Sequence, residues 1–226
     1  MIPQFRTFSS RETLMQAAAD AVADALQRGI SERGAACAAL SGGTTPAQAY
    51  DLLAAMPLDW PRVSFALVDE RCVPPEHEAS NERLLRETLA PALRAGARLE
   101  PVFSEADANA NDANARYAAL EFDIALLGMG ADAHTASWFP LSPQLDEIAS
   151  ADNPRSVMAV SAPGAAGAEA RLSVTMPALL RAKRLLLLIA GAEKRAVLEH
   201  TLNDASSNAP IARLYAQRAP ETFWAE

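Results

Sequence analysis

Asp132 and His134 stand two residues apart in the segment DIALLGMGADAHTASWFP (123–140), where an apolar run gives way to small residues. An imidazole beside a carboxylate is an oriented general base, because the acid fixes the ring and supports the charge gained with a proton. The chain has three histidines. This one follows a strand-like run and so falls in the kind of loop where open α/β sheets keep their chemistry. His77, in a Pro/Glu-rich loop, reads as a solvated side chain. His200, near a helix end, meets the negative pole of the helix dipole and needs no other role.

A second loop, Ser41-Gly42-Gly43-Thr44-Thr45-Pro46, also follows an apolar run. Its glycines let backbone N–H groups approach an anion, Thr45 is placed to cap a helix, and Pro46 is placed to begin it, with the helix's positive end at the same point. This makes a phosphate cradle; the plain alternative is an ordinary strand-to-helix turn. A nucleotide P-loop is excluded because the Gly-Lys-Ser/Thr ending is absent. Asp69-Glu70-Arg71 closes a third apolar run. Arginine's planar fork suits a phosphate or a developing oxyanion, unless Arg71 simply pairs with Asp69 or Glu70 at the surface. Arg171, opening a strand, and Lys194, early in a helix, are within reach of a ligand, although each read alone is a surface charge. The run 128–133 also fits a GxGxxA dinucleotide fingerprint, with Asp152 near the ribose-binding distance. It is rejected: Asp132 puts negative charge where a pyrophosphate must lie, and Pro140 and Pro143 interrupt the required helix.

These loops need a frame. Ser9-Ser10-Arg11-Glu12 resembles a capping box, and Leu14, Ala17, Ala18, Ala21, Val22 and Ala25 then recur at helical spacing up to Gly29. Apolar runs at 35–40, 63–68, 124–127, 171–175 and 185–190 read as strands. Helical patterns follow Pro46, restart at Ser80-Asn81 with Leu84, Leu85 and Leu89 inward, enter 176–181 through Pro177, and cover 191–202. A polar stretch at 105–114 leads into a weaker helix, and the Gly/Ala-rich 163–167 reads as a mobile loop near the site. Continuous rather than alternating apolar strands, interleaved with helices, predict an α/β fold with a mostly parallel sheet flanked by helices on both faces. At 226 residues, half of them apolar, the whole chain (1–226) reads as one domain with a full core.

Composition removes several function classes. The 28 acidic against 20 basic residues, a net charge of −8, argue against nucleic-acid binding, so an anionic ligand must meet local positive charge. Lys183 and Lys194 are the only lysines, which singles out the one in a site loop. Cys37, in a strand, and Cys72, in a loop, have neither CxxC spacing nor a second ligand pair, so no disulfide framework and no metal site are expected. The longest apolar run, 185–190, is far below the ~18 residues of a membrane span, and the first ten residues show no secretory pattern. A cytoplasmic protein, away from membranes, is expected.

Taken together, 41–46, Asp69-Glu70-Arg71-Cys72-Val73-Pro74 with Ser80-Asn81 downstream, Gly128-Met129-Gly130-Ala131-Asp132-Ala133-His134-Thr135-Ala136-Ser137, and Arg171-Leu172-Ser173-Val174-Thr175 resemble, in order and spacing, the 6-phosphogluconolactonases of the glucosamine-6-phosphate isomerase/6-phosphogluconolactonase family. The resemblance implies a Rossmann-like open sheet of the sugar-phosphate isomerase/lactonase type. It also implies a carboxylic ester hydrolase that opens 6-phosphoglucono-1,5-lactone to 6-phosphogluconate in the oxidative pentose phosphate pathway. The expected ligand is a small sugar-phosphate lactone, with no cofactor and no metal, bound by a monomer or weak homo-oligomer. A lactone is an activated ester, so a positioned water, a base and charge stabilisation suffice. The expected roles are His134 as base, Asp132 as its orienting partner, and Arg71 on the oxyanion or the phosphate. Ser41, Gly42, Gly43, Thr44, Arg171 and Lys194 would anchor the 6-phosphate, and Asn81 the sugar hydroxyls. Serine hydrolysis is a poor rival: there is no Gly-x-Ser-x-Gly elbow, and Ser137 has no second histidine.

Two departures from the family stand out. Glycine is usual where this chain has Ala133, and a left-handed backbone there costs an alanine about 1 kcal/mol. Trp138 stands where leucine is more usual and is expected to pack beneath the loop. The amino-sugar-phosphate isomerase/deaminase branch tends to carry Asp-Glu-Tyr and Phe-Asn-Glu-Pro where this chain has Asp69-Glu70-Arg71 and Ser137-Trp138-Phe139-Pro140. A non-catalytic sensor attached to DNA would need a recognition helix pair, whereas the first ~30 residues read as a single helix.

Overall fold

The computed structural model describes residues 3–107, 110–204 and 206–226. The first half contains β1 (Phe5–Thr7), α1 (Arg11–Arg33), β2 (Ala36–Leu40), α2 (Thr44–Ala54), β3 (Val63–Leu67), β4 (Asp69–Arg71), α3 (Asn81–Thr88), α4 (Ala90–Arg94) and β5 (Arg98–Glu100). The second contains α5 (Asn111–Ala118), β6 (Ile124–Leu127), α6 (Leu145–Ile148), β7 (Val157–Ser161), β8 (Ala170–Val174), α7 (Met176–Leu180), β9 (Arg184–Ala190), α8 (Ala192–Asn203), α9 (Pro210–Gln217) and β10 (Glu221–Ala225). Seven strands form one sheet in the order β1-β10-β9-β6-β2-β3-β5, and every pairing in it is parallel. Every residue of β2 and β6 is buried, so both faces of the sheet centre are covered, and this is why those strands read as unbroken apolar runs. No described helix is long and apolar enough to cross a membrane.

The first helix differs from expectation at both ends. The cap lies one residue later than the Ser9–Glu12 pattern suggests: Ser10 Oγ accepts from Thr13 N at 3.3 Å, and Thr13 Oγ1 accepts from Ser10 N at 3.1 Å. Nor does the helix stop at Gly29. It continues to Arg33 and is closed by Gly34 in the left-handed conformation (φ 79°). Gly29 marks a close approach instead, since a Cβ there would sit 2.6 Å from Asp123 Oδ2 and 2.8 Å from Ala36 Cβ. Of the polar stretch 105–114, residues 108 and 109 lie outside the described residues; α5 follows and buries Ala113 and Tyr117.

A larger difference concerns the run 63–68. Strand β3 stops at Leu67, and at Val68 the chain changes sheets: Val68 N donates to Leu40 O in the parallel sheet (3.0 Å), while Val68 O accepts from Val174 N (2.9 Å). Residues Asp69–Arg71 therefore do not close a strand of the main sheet. They form β4, the edge of a three-stranded antiparallel sheet ordered β4-β8-β7. Three charged or acidic residues carry no periodicity of their own, so tertiary pairing alone decides this strand.

Candidate active site

Strands β2 and β6 are hydrogen-bonded neighbours, yet from β2 the chain goes on to β3 on one side and from β6 to β9 on the other. Such a reversal leaves a crevice at the carboxyl ends of the two strands. A cavity of about 280 Å³ fills it. Nine of the ten residues singled out in the sequence line this cavity: Ser41, Gly42, Gly43, Thr44, Arg71, Asn81, His134, Arg171 and Lys194. The tenth, Asp132, touches it through His134.

The His134 loop is held from all sides. His134 Nδ1 lies 2.5 Å from Asp132 Oδ1, which also accepts from the His134 backbone N at 3.2 Å. A carboxylate only accepts, so Nδ1 carries a proton, and in the neutral ring this leaves the lone pair on Nε2; among the described residues Nε2 has no hydrogen-bond partner. Partial burial pushes the Asp132 carboxyl up, but the hydrogen bonds and charge of His134 outweigh it and hold the acid below its ordinary value. The loop closes on itself through Gly130 N to His134 O (3.0 Å) and Ala133 N to Gly130 O (3.1 Å). A Cβ on Gly130 would lie 2.2 Å from the His134 ring, so only glycine lets the imidazole fold back this far. Ala133 is left-handed, with φ 63°, as feared for this alanine, and the strain is tolerated in a buried residue whose carbonyl accepts from Ile211 N. Trp138 is fully buried and donates from Nε1 to Val174 O at 2.8 Å, so it does pack under the loop.

The side of the cavity after β2, where the sequence predicts a phosphate cradle, is built differently. Helix α2 begins at Thr44 with Gly43 as its N-cap (φ 100°), and no side chain caps it. Thr45 is therefore not the cap, and Pro46 lies in the third helical position rather than the first. The helix's first N–H groups face the cavity without an internal partner. Ser41 N donates to Leu126 O (3.1 Å) and Ser41 O accepts from Tyr50 Oη (2.7 Å). That leaves Ser41 Oγ buried with no partner, and Arg71 Nε is in the same condition.

Neither cavity arginine is a surface charge. Arg171 is 4% exposed, and it donates from Nε to Ala168 O (3.0 Å) and from Nη2 to Ala166 O (2.6 Å), tying it to the loop 163–167. Burial, and then the neighbouring Arg71, disfavour its charge and lower its pKa. Burial likewise lowers that of Lys194. Arg71 makes no ion pair with Asp69 or Glu70; its Nη1 donates to Ala79 O at 2.5 Å. Glu70 turns away to the start of α3, where the backbone N–H groups of Asn81 and Glu82 and the Ser80 hydroxyl donate to it. Burial raises its pKa against those bonds.

Asn81 lines the cavity, but its Nδ2 donates to Asp69 O (2.9 Å) and Asp69 Oδ1 (3.2 Å), and its Oδ1 would be 1.8 Å from a Cβ on Gly42. It buttresses the cradle. Asp69 itself faces the cavity and accepts from Ser137 Oγ at 2.6 Å. Sequence reasoning noted the Asp69–Glu70 pair without separating the two, because the split depends on β4 pairing with β8. It also gave Phe139 no role, though Phe139 stacks on His134. The rejected dinucleotide reading fails here as expected: after Gly128–Ala133 the chain makes turns, and the next helix is the short Leu145–Ile148.

The model of the glucosamine-6-phosphate isomerases/6-phosphogluconolactonase family matches residues 9–224. The chain belongs to this family. Among the relatives, the 6-phosphogluconolactonase of Caulobacter vibrioides is 38% identical over 229 residues, covering 99% of this chain and 97% of that protein. That of Rhizobium meliloti is 40% identical over 203 residues, covering 88% and 87%. A solved 6-phosphogluconolactonase from Shewanella baltica superposes with a TM-score of 0.90 at 32% identity, over 99% of this chain and 98% of that one. The matched stretch covers the parallel sheet apart from β1 and the last residue of β10, and all the loops that line the cavity.

Proposed function

We propose that this protein hydrolyses 6-phosphoglucono-1,5-lactone to 6-phosphogluconate, with His134 as the base that activates water. The observation that carries the reading is the shape of the cavity. An imidazole oriented by Asp132 stands at one loop, and at another an uncapped helix start joins the buried guanidinium of Arg171, the half-buried Arg71 and an unpartnered serine hydroxyl. Relatives of similar length that bear the lactonase name support the substrate.

In this scheme His134 Nε2 takes a proton as a water oxygen bonds to C1 of the lactone, giving a tetrahedral oxyanion. Collapse of that oxyanion breaks the bond from C1 to the ring oxygen, and the imidazolium returns its proton to that oxygen as it becomes a hydroxyl. Asp132 stays ionised and holds the ring throughout. At the other end the N–H groups of α2, Ser41 Oγ, Lys194, Arg171 and Arg71 hold the 6-phosphate. Burial and the neighbouring Arg71 disfavour the charge of Arg171, and a phosphate dianion offsets this.

The test offers freshly prepared 6-phosphogluconolactone and couples its opening to 6-phosphogluconate dehydrogenase, with ammonia release from glucosamine-6-phosphate followed in parallel. Lactone opening well above the uncatalysed rate, without ammonia, is expected. Ammonia release without lactone opening would overturn the reading in favour of the isomerase/deaminase branch.

A further inference from the structure

We propose that Phe139 is a positioning residue for the base: its ring is the wall that sets the plane of the His134 imidazole while Asp132 holds the imidazole edge. The proposal rests on the reading of His134 as base and adds a residue to it. The two rings stack with centroids 4.2 Å apart and an interplanar angle of 28°, and the Arg171 guanidinium carbon lies 5.0 Å from the centre of the same phenyl ring.

An imidazole has two freedoms that matter here, rotation about its bond to the chain and tilt out of its plane. The Asp132 contact restrains the edge of the ring at Nδ1 but does little against tilt. A phenyl face at stacking distance supplies that restraint.

Phe139 is itself 8% exposed and held through its neighbours. Ser137 N donates to Ser173 Oγ (3.2 Å) and Trp138 Nε1 to Val174 O (2.8 Å), so the segment carrying Phe139 is fastened to β8, the strand that presents Arg171. One rigid strand thus registers both the phosphate arginine and the wall behind the base. Arg171 has its own anchors at Ala166 and Ala168, so it stays in place without the phenyl face, whereas His134 loses the only ring stacked on it among the described residues.

This asymmetry predicts a split between kcat and KM. Phe139→Leu, close in volume, lowers kcat about threefold to tenfold, as expected for losing one aromatic pair, and leaves KM within about twofold. Phe139→Tyr keeps the face and restores kcat.

A second readout does not depend on turnover. In the proton spectrum the His134 ring signals are displaced by the phenyl ring current in the wild-type protein and return toward an unstacked position in Phe139→Leu, with His77 and His200 as internal references. His134→Asn, assayed alongside, separates the two claims. If His134→Asn is inactive but Phe139→Leu keeps wild-type kcat and His134 shifts, the base reading stands and the role of Phe139 is overturned. If His134→Asn keeps wild-type turnover, both fall. Should Phe139→Leu not fold, wild-type and Phe139→Tyr spectra still decide, because an undisplaced His134 signal in both would contradict the stack.

Discussion

The two ends of the cavity differ in how their polar groups are settled. In the base loop the restraints on His134, Asp132, Gly130 and Ala133 come from within the protein, and the loop is fastened to β8 and α9. At the anion end Ser41 Oγ and Arg71 Nε are buried without partners, α2 lacks a side-chain cap, and burial works against the charges of Arg171 and Lys194. On the proposed function, the end that holds the base is thus preorganised, while the end that holds the phosphate carries unfavourable terms that an anion would offset. A group needed for chemistry must be in place before the transition state, whereas a group needed for recognition gains affinity from being unsatisfied beforehand.

Breaking the preorganised end has the largest effect. His134→Asn is expected to lower kcat by about 10²–10⁴-fold, the usual contribution of a positioned base, with an unchanged melting curve. Next comes Gly130→Ala, whose methyl group enters the space of the imidazole. A displacement of this kind costs about 10²-fold in turnover, read as kcat on a protein whose circular dichroism matches the wild type.

The anion end responds in binding. Arg171→Met removes a charge-assisted contact worth about 1.5–3 kcal/mol, so KM rises about tenfold to a hundredfold while kcat stays within about threefold. Inorganic phosphate, which should raise the melting temperature of the wild type, should protect this variant far less. A variant that lost kcat at unchanged KM would move Arg171 to the reacting carbonyl instead.

The smallest expected effect is a pH dependence at Lys194. Burial lowers its pKa, so the folded protein gives up this proton at a lower pH than the unfolded chain does. Between those two values the unfolded state binds more protons, and the contribution of this group to stability rises with pH. Phosphate affinity moves oppositely and falls as the ammonium is lost. Lys194→Arg, charged throughout, should hold its phosphate affinity further into the alkaline range by calorimetry; coincident profiles for the two proteins would remove Lys194 from the phosphate site.

How much of this was legible in the sequence follows the same division. The His134 loop lies in one continuous segment, so Asp132 and His134 could be read from neighbours in the chain, whereas the left-handed strain at Ala133 and the burial of Trp138 were expected only through the family resemblance. The parallel sheet was equally visible, because strands covered on both faces leave unbroken apolar runs. The proposed phosphate end is assembled from four separated segments, around 41–44, 71, 171 and 194, and its key connector is β4. Nothing in Asp69-Glu70-Arg71 announces a strand that pairs with β8, so Arg171 looked like a surface charge. The different fates of Asp69, in the cavity, and Glu70, on the start of α3, were hidden for the same reason. Gly29 misled for a related one: its close approach to Asp123 and Ala36 is a tertiary fact, and in sequence alone it resembles a helix stop.

The central claim is spatial, and a crystal structure with 6-phosphogluconate bound tests it most directly. The account predicts the phosphate against the start of α2, in contact with Ser41, Arg171 and Lys194, and the C1 carboxylate within hydrogen-bond reach of His134 Nε2. A product bound with its phosphate at His134, or with C1 out of reach of that nitrogen, would contradict it.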